Sequence, residues 1–229
     1  MMDMATTFQR ARSDEQRAAR SQAILDTAAA MLREMPVADL SLNELSRRVG
    51  LAKSNVLRYF DSREAVLLEL LASASREWLA HLATELPSAV RRRAGFKRRA
   101  EQLSTAIAQS LVERPVLCDL ISAQAAVLEH NVSVEAVTRY KLAAIADAHA
   151  LAAQVQDALP ELSRDDAWRY GVAIWVMTSA LWAYACPPEA VVQAFAADER
   201  LQKTFLEFEV VLADYLTTLA IGFHARAVG

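Results

Sequence analysis

The sequence predicts an all-α protein, and three observations lead to this prediction. The chain of 229 residues contains only 5 Gly and 6 Pro, the two residues that most strongly interrupt helices. No stretch alternates apolar and polar residues with the period of a strand. Apolar residues instead recur every three or four positions, as they do in amphipathic helices. With 54% apolar and 23% charged residues, the composition suits a soluble protein with a large core.

Residues 41–60 predict two short helices joined by a tight turn. Ser41 and Glu44 have the S-x-x-E spacing of a capping box, which marks the start of a helix. Gly50 can adopt the left-handed conformation that ends this helix. A second helix is expected from about residue 52 to residue 59. The pair has the form of a helix-turn-helix, whose second helix fits the major groove of DNA.

The polar face of this motif carries the side chains that DNA contacts require. Cations and hydroxyls hold phosphates, whereas groups that both donate and accept hydrogen bonds read base edges. The residues predicted to contact DNA are Ser41, Asn43, Lys53, Ser54, Asn55, Arg58, Tyr59 and Arg63. We expect Ser54 and Asn55 to read bases. Phosphates are expected to be held by Arg58, Tyr59 and Arg63. The alternative is a pair of helices whose polar face is only solvated.

Three features around this motif are typical of one family. A longer helix precedes it, Tyr59-Phe60 ends the second helix, and Arg63-Glu64 opens the next one. On these features residues 17–71 resemble the DNA-binding domain of the TetR family of transcriptional repressors. Ala52 departs from the family pattern because Ser or Thr often caps the helix there, and Leu57 departs because an aromatic residue is common. The resemblance implies a homodimer that binds an inverted-repeat operator and that a small molecule releases.

The charge is distributed unevenly along the chain. A net charge of −3 argues against general binding of polyanions. Residues 1–15 are nevertheless expected to form a disordered basic arm. The cations at this end of the chain are Arg10, Arg12, Arg17 and Arg20. The stretch 91–99 holds six cations in nine residues. It could be a second nucleic-acid patch, but the resemblance places it away from the DNA and favours a solvated loop.

After the DNA-binding domain, expected at 16–62, residues 63–229 predict a larger helical domain for ligand binding and dimerisation. Its helices are bounded by prolines and by capping residues. Asp61 and Glu64 have the spacing of a second capping box at the start of the first of these helices. His130-Asn131 is expected to break the chain between two helices, and Ser133 to cap the second of them. The predicted helices span about 62–86, 96–113, 115–129, 133–159, 164–186, 189–195 and 199–223.

Two of these helices predict the dimer interface. Trp168, Trp175 and Trp182 recur every seven residues in one helix, and the last helix has apolar residues spaced four and three apart, which suits packing along another helix. The residues predicted at the interface are Trp168, Trp182, Phe205, Phe208, Leu212 and Tyr215. The alternative is that these residues belong to a core within one chain.

The larger domain is also expected to hold a mostly apolar ligand cavity. Cys118, Ser122, Tyr170 and Trp175 are candidates for its lining, although each could equally be ordinary core. An uncharged or weakly polar hydrophobic effector is expected there.

The sequence lacks the patterns of other function classes. The four histidines share no metal-ligand spacing, and there is no G-x-S-x-G and no phosphate-binding glycine loop, so we expect neither an enzyme nor a cofactor. Cys118 and Cys186 are expected to be free thiols of a cytoplasmic protein. The uncharged run at 170–186 has 17 residues, fewer than the ~20 of a membrane span. The remaining alternative is a helical ligand-binding protein with a degenerate helix-turn-helix.

Overall fold

The structure, a computed structural model, describes residues 4–228, with side chains described for residues 15–227. Its helices are α1 (Met4–Leu32), α2 (Leu42–Val49), α3 (Lys53–Val56), α4 (Arg63–Ala89), α5 (Phe96–Val112), α6 (Pro115–Ala123), α7 (Val134–Ala158), α8 (Arg164–Ala185), α9 (Glu189–Ala197), α10 (Glu199–Gln202) and α11 (Phe208–Val228). A 3-10 turn covers Val37–Asp39 and a π-helical turn covers Gln124–Leu128. No strand occurs between residues 4 and 228, and the predicted all-α class is confirmed.

The chain divides into two compact units. The first unit comprises Met1–Leu70 and Gln124–Tyr140, and the second comprises Leu71–Ala123 and Lys141–Gly229. Two of the three divisions fall inside α4 and α7, so each of these helices belongs to both units. The domain bounds expected from the sequence, 1–15, 16–62 and 63–229, stay a prediction.

The first unit is built on a small apolar core. Ile24, Ala28 and Met31 of α1 follow the i, i+4, i+7 spacing of one helix face and are fully buried. Leu45 of α2 and Val56 of α3 are also 0% exposed. Helix α1 packs against α2, and α2 packs against α3. This core therefore holds the predicted helix-turn-helix in place.

Helix α1 begins earlier than expected. It starts at Met4 and not near Arg17, so residues 4–15 are helical where a disordered arm was expected. No Pro or Gly occurs before Pro36, and residues such as Ala, Gln, Arg and Glu favour a helix. Residues 1–3 and the side chains of Arg10 and Arg12 lie outside the described residues.

Two predicted helix ends are wrong. Helix α4 continues past Pro87 to Ala89, because a proline near the end of a helix removes few of its hydrogen bonds. The helix expected at 199–223 is broken into α10 and α11. At the break, the carbonyl oxygen of Leu201 accepts from the N–H and the hydroxyl of Thr204, at 2.8 and 2.7 Å. A continued helix would give that oxygen to Phe205.

The connection between α6 and α7 also differs in part from the expectation. The helix expected at 115–129 is α-helical to Ala123 and then π-helical. The predicted break at His130-Asn131 is confirmed, since Asn131 has a left-handed φ of 55°. The predicted cap of α7 is also confirmed, with the hydroxyl oxygen of Ser133 accepting from the N–H of Ala136 at 3.2 Å.

The second unit has a core centred on α11. Helix α11 packs against α5 and α8, and α6 packs against α8. The buried face of α11 repeats every four residues, with Phe208, Leu212, Leu216 and Ala220 at most 6% exposed. Other helices of the same chain therefore cover most of the stripe of apolar residues predicted for the last helix.

The predicted dimer interface needs correction at two of its six residues. Phe208 and Leu212 are buried. The Trp182 indole lies edge-on to Phe208, with ring centroids 5.0 Å apart, and its N–H donates to the Asp119 carboxylate at 2.7 Å.

Trp168 packs on His149 with ring centroids 4.6 Å apart. Trp168 and Trp182 are half-buried, and their place at the interface stays a prediction. Only Phe205 and Tyr215 of the predicted set are half exposed, at 49% and 47%. Residue spacing identifies an apolar stripe but not the neighbour that covers it, and here helices of the same unit cover most of it.

Among the described residues, one helix is long and apolar enough to cross a membrane by length and composition alone. It is Phe208–Ala227 of α11, with a mean hydropathy of 1.2. Core helices of proteins outside membranes pass the same test, and α11 packs against α5 and α8. Its hydropathy is therefore weak evidence for a membrane span.

Candidate nucleic-acid interface

The turn between α2 and α3 has the geometry that its residues predict. The hydroxyl oxygen of Ser41 accepts from the N–H of Glu44 at 3.2 Å and caps α2. Gly50 ends α2 with φ of 72°, and the N–H of Leu51 returns to the Ser46 carbonyl oxygen at 3.0 Å. This pattern of a left-handed glycine and a backward hydrogen bond closes the helix and directs the chain into α3.

Helix α3 is shorter than expected. It covers only Lys53–Val56, and the chain continues to Phe60 in hydrogen-bonded turns. Ala52 makes no side-chain cap, so the missing cap that the sequence indicated is confirmed. Val56 and Phe60 point into the core, which leaves the other residues of this segment turned outwards.

The outward face carries most of the residues predicted to contact DNA. Ser41 and Asn43 of the α2 end are exposed, as are Lys53, Ser54, Asn55 and Arg58, while Tyr59 is half-buried. Leu57 is 40% exposed. The structure therefore presents these polar groups together on the solvent side of the motif. Direct contact with DNA remains a prediction for each of them.

A concave polar surface lies between α1 and the helix-turn-helix. It encloses about 950 Å³ and is lined from the motif by Leu51, Asn55, Arg58 and Tyr59. From α1 it is lined by Gln16, Arg17, Ala19, Arg20 and Ala23. Cations from α1 and from the turn after α3 thus border one surface that contains the base-reading candidate Asn55. We call these nine residues the α1–α3 surface.

Arg17 and Arg20 were not among the predicted contact residues. The sequence assigned them to a basic arm ahead of the first helix, and so gave them no fixed position. Their spacing of three residues places both on one face of a helix, and this was the signal that could have identified them. The structure puts that face beside Asn55 and Arg58.

A cluster of charges supports α2 on its exposed side. Glu44 accepts hydrogen bonds from Arg47 at 2.6 and 2.8 Å and from Arg48 at 2.9 Å. Arg48 also donates to Glu34 at 2.6 Å. The hydrogen bonds from Arg47, and next those from Arg48, lower the pKa of Glu44 to about 2. The Glu44 carboxylate is thus engaged with arginines.

Arg63 occupies a different environment from the one expected. Its guanidinium donates to the Val37 carbonyl oxygen and, at 3.2 Å, to the Glu64 carboxylate, and its side chain is only 19% exposed. These contacts join the start of α4 to the 3-10 turn. Arg63 was predicted to hold a phosphate, and that contact stays a prediction.

The predicted capping box at the start of α4 is also different. Ser62 provides the cap, since its hydroxyl oxygen accepts from the N–H of Ala65 at 3.1 Å. Asp61 instead accepts a hydrogen bond from the hydroxyl of Ser133 at 2.7 Å. Within the first unit, this bond connects the residue after the helix-turn-helix to the cap of α7.

The predicted ligand-lining residues lie in packed parts of the second unit. The Tyr170 hydroxyl shares a hydrogen bond of 2.9 Å with Ser104, and burial raises the pKa of this phenol. The Cys118 thiol donates to the Leu111 carbonyl oxygen at 3.3 Å, and burial raises its pKa to about 12.

The other two candidates belong to the same core. Trp175 packs on Trp78 with ring centroids 6.5 Å apart, and Ser122 is half-buried. A cavity of about 140 Å³ lies at another place, between α4 and α7. The sequence did not indicate it, because its lining comes from two segments about 70 residues apart in the chain.

The described residues contain no group of three or more His, Cys, Asp or Glu side chains placed to hold a metal ion. Cys118 and Cys186 are free thiols, the first buried and the second exposed.

Comparison with known proteins gives matches over nearly the whole chain. Residues 72–227 match the family described as "Tetracyclin repressor-like, C-terminal domain", and residues 24–70 match "Bacterial regulatory proteins, tetR family". The HTH-type transcriptional regulator EthR of Mycobacterium tuberculosis (strain ATCC 25618 / H37Rv) is 44% identical over 52 residues. That match covers 23% of this chain and 24% of the relative.

Solved structures share the fold at low sequence identity. A TetR transcriptional regulator from Rhodococcus sp. RHA1 is 13% identical, with a TM-score of 0.54, over 90% of this chain and 95% of that chain. The regulator FadR from Bacillus subtilis, solved in complex with stearoyl-CoA, is 10% identical, with a TM-score of 0.50, over 87% of this chain and 96% of that chain. These likenesses agree with the all-α fold found above.

Proposed function

The chain belongs to the TetR family of transcriptional regulators, and we propose that it is a repressor that binds an inverted-repeat operator in double-stranded DNA as a homodimer. The observation that best supports this proposal is the α1–α3 surface, where Asn55 lies with Arg17, Arg20 and Arg58. Arginines supply contacts to phosphates, and an Asn side chain can bond an adenine edge through both its groups. The two kinds of contact provide affinity and sequence selectivity, respectively.

The short recognition helix is one reason to propose a homodimer. Helix α3 has 4 residues, so one copy can reach only a few base pairs. Two copies placed about one helical turn of DNA apart, or a multiple of it, would read two half-sites. The two-fold symmetry of such a dimer predicts the inverted repeat.

Exposed apolar side chains on α8 and α11 are the second reason. Val172, Val176 and Tyr184 on α8 are 42%, 61% and 72% exposed, and Val210 and Tyr215 on α11 are 60% and 47% exposed. Clusters of such side chains mark surfaces that a partner covers. Two helices from each subunit would form a four-helix interface. Tyr215 belongs to the set predicted from the sequence, and the other four residues replace its buried members Phe208 and Leu212.

The second unit is proposed to bind a small hydrophobic effector. Ligand response is typical of the family, and the FadR structure cited above holds an acyl-CoA ligand. An effector that prefers the conformation with low DNA affinity would release the operator. Coupling of this kind is usually about 1–3 kcal/mol. The role of Cys118, Ser122, Tyr170 and Trp175 in binding it remains a prediction.

Such regulators are typically not enzymes, and the proposed activity is reversible binding that needs no cofactor. We place the protein in the cytoplasm, where the DNA of bacteria lies.

The decisive experiment is selection of bound duplexes from a random DNA pool at about 0.15 M salt, where non-specific binding is weak. We expect an enriched inverted repeat, a complex with two subunits of 25.2 kDa each, and lower transcription from a promoter that carries the site. Failure to enrich any duplex would favour the alternative, a helical ligand-binding protein whose helix-turn-helix has lost DNA affinity.

A further inference from the structure

The structure describes every residue of the connection between α8 and α11, numbers 188–207, and none of them is buried. We call this connection the α9–α10 segment, because it consists of helices α9 and α10 with their flanking turns. On either side of it the second unit is well packed, with Tyr170 and Ile174 of α8 and Leu212 of α11 at most 1% exposed. The segment therefore differs from the two helices that it joins, each of which buries one face.

The α9–α10 segment is nevertheless rich in apolar residues. All residues of α9 except Glu189 and Gln193 are Ala, Val or Phe. The rings of Phe195 and Phe205 meet edge to face, with centroids 5.7 Å apart, and this contact joins α9 to the turn after α10. Large apolar side chains stay exposed around it, at 40%, 44%, 41% and 49% for Val191, Val192, Leu201 and Phe205.

Helices as short as these are not stable alone. Helix α9 has 9 residues and α10 has 4, whereas an isolated helix of fewer than about 12–15 residues is marginal in water. Most helical stability in proteins comes from the packing of an apolar face. The two helices pack against each other, but this contact leaves the four side chains above at least 40% exposed. A further surface must therefore cover the segment.

The position of the segment indicates a second copy of this chain as that surface. The segment joins the C-terminal end of α8 to the N-terminal end of α11, where Tyr184 and Val210 are 72% and 60% exposed. Its apolar side chains therefore continue the dimer interface proposed above. In a two-fold interface the same patch of both subunits is covered by the partner. A stable interface takes about 20–30 residues from each subunit, and the few exposed side chains of α8 and α11 do not supply that number.

The charge of the segment argues against other kinds of partner. Acidic residues outnumber basic ones, with Glu189, Asp198, Glu199 and Glu207 against Arg200 and Lys203. An excess of carboxylates disfavours both DNA and the anionic surface of a membrane. A protein surface that is mostly apolar at its centre has no such conflict.

We propose that the α9–α10 segment of each subunit packs against the partner subunit and forms part of the dimer interface. Val192 and Phe205 lose their exposure to water there, and the two short helices gain the packing that they lack within one chain. This inference rests on the proposed homodimer and deepens it. The sequence assigned only Phe205 of this segment to the interface, whereas the proposal adds α9 and α10 as a contact region beside α8 and α11.

Sedimentation equilibrium of the full-length protein measures the contribution of the segment to dimer affinity. Val192→Glu removes an apolar side chain from the interface and buries a charge in its place, which should cost roughly tenfold in affinity per copy. Because a dimer contains two copies, the Kd for dimer dissociation should rise about a hundredfold. An unchanged Kd would overturn the inference.

Ala190→Glu is the matched control. Ala190 is also exposed and lies about 200° around α9 from Val192, on the side away from Val191 and Phe195. The same charge placed there should have a much smaller effect on the Kd, and equal effects of the two variants would reject a defined contact at Val192. Both variants should keep the helix content of the wild type in circular dichroism, because both side chains are exposed in a single subunit.

Photo-crosslinking identifies the chain that the segment contacts. A benzophenone side chain replaces Val192, and subunits labelled with heavy nitrogen are mixed with unlabelled ones before irradiation. Mass spectrometry should find crosslinked peptide pairs that combine a labelled and an unlabelled member. Pairs of one label only would show that the segment packs on its own chain, and would overturn the inference.

The outcomes separate this inference from the proposed function. A dimer that Val176→Glu dissociates but Val192→Glu does not would leave the homodimer on α8 and α11 intact and overturn the inference alone. A wild-type protein that stays monomeric at micromolar concentration would overturn both. Binding to vesicles of phosphatidylcholine and phosphatidylglycerol that Val192→Glu abolishes, while dimer affinity is unchanged, would assign the segment to a membrane surface instead.

Discussion

Replacement of Arg58 or Arg20 by Gln should reduce the salt dependence of DNA binding. Both residues line the α1–α3 surface, where we expect them to neutralise phosphates. Each phosphate contact contributes about 0.9 to the slope of log K against log salt. A homodimer has two copies of each residue, so one substitution should lower the slope by about 1.8. Between about 50 and 200 mM salt, wild-type affinity should then fall about twelvefold more than that of the variant.

The assay is fluorescence anisotropy of a labelled operator duplex, repeated on a duplex of random sequence over the same salt range. The loss should be similar on both duplexes, because phosphate contacts carry no sequence information. Arg33→Gln is the matched control, since Arg33 is an exposed arginine of the same unit outside this surface. An unchanged slope for Arg20→Gln and Arg58→Gln, or an equal change for Arg33→Gln, would refute the assignment of the α1–α3 surface to DNA.

Three further predictions follow from the same structure. Asn55→Ala should cost about 1–3 kcal/mol of binding free energy per half-site contact on the selected operator and relax selectivity at one position of each half-site. Competition with mutated duplexes measures this, and an equal loss of affinity for all sequences would contradict it. Val176→Glu should give monomers in analytical ultracentrifugation because it buries a charge in the proposed interface, whereas Leu142→Glu, at a 64% exposed site on α7, should leave dimers intact. The pKa of Glu44 is lowered in the folded protein, so its ionised carboxylate stabilises the fold at pH values above 4.5, and this contribution is lost as the pH falls towards about 2. Glu44→Gln should therefore lose less stability than wild type between about pH 5 and about pH 3 in urea unfolding, and equal losses would exclude Glu44 as a source.

Local signals in the sequence predicted the centre of the DNA-binding motif well. Ser41, Gly50 and Ala52 act through hydrogen bonds and backbone angles of their immediate neighbours, and the structure confirms all three assignments. Asn131 and Ser133 were likewise assigned correctly at the end of one helix and the start of the next. These features depend on residues within about four positions, where sequence spacing and spatial distance agree.

The sequence did not indicate the contacts that residues make with partners distant in the chain. Arg63 stands in the sequence where a phosphate ligand is expected, but the carbonyl oxygen of Val37, 26 positions away, accepts its hydrogen bond. Trp182 belongs to a stripe with interface spacing, yet Asp119, 63 positions away, pairs with its indole. Spacing along one helix describes which residues share a face, and it contains no information on which helix will cover that face.

The amino-acid sequence by itself determined the helical class, the helix-turn-helix and the family, because these follow from periodicity, capping residues and a short motif. Tertiary structure decided that Arg17 and Arg20 lie beside Asn55, that Phe208 and Leu212 are core and Val172 and Val176 are exposed, and that a cavity opens between α4 and α7. The physical reason is that burial and pairing are properties of two surfaces in contact. The sequence of one helix specifies only the surface of that helix. The packing of the whole chain decides which surface lies against it.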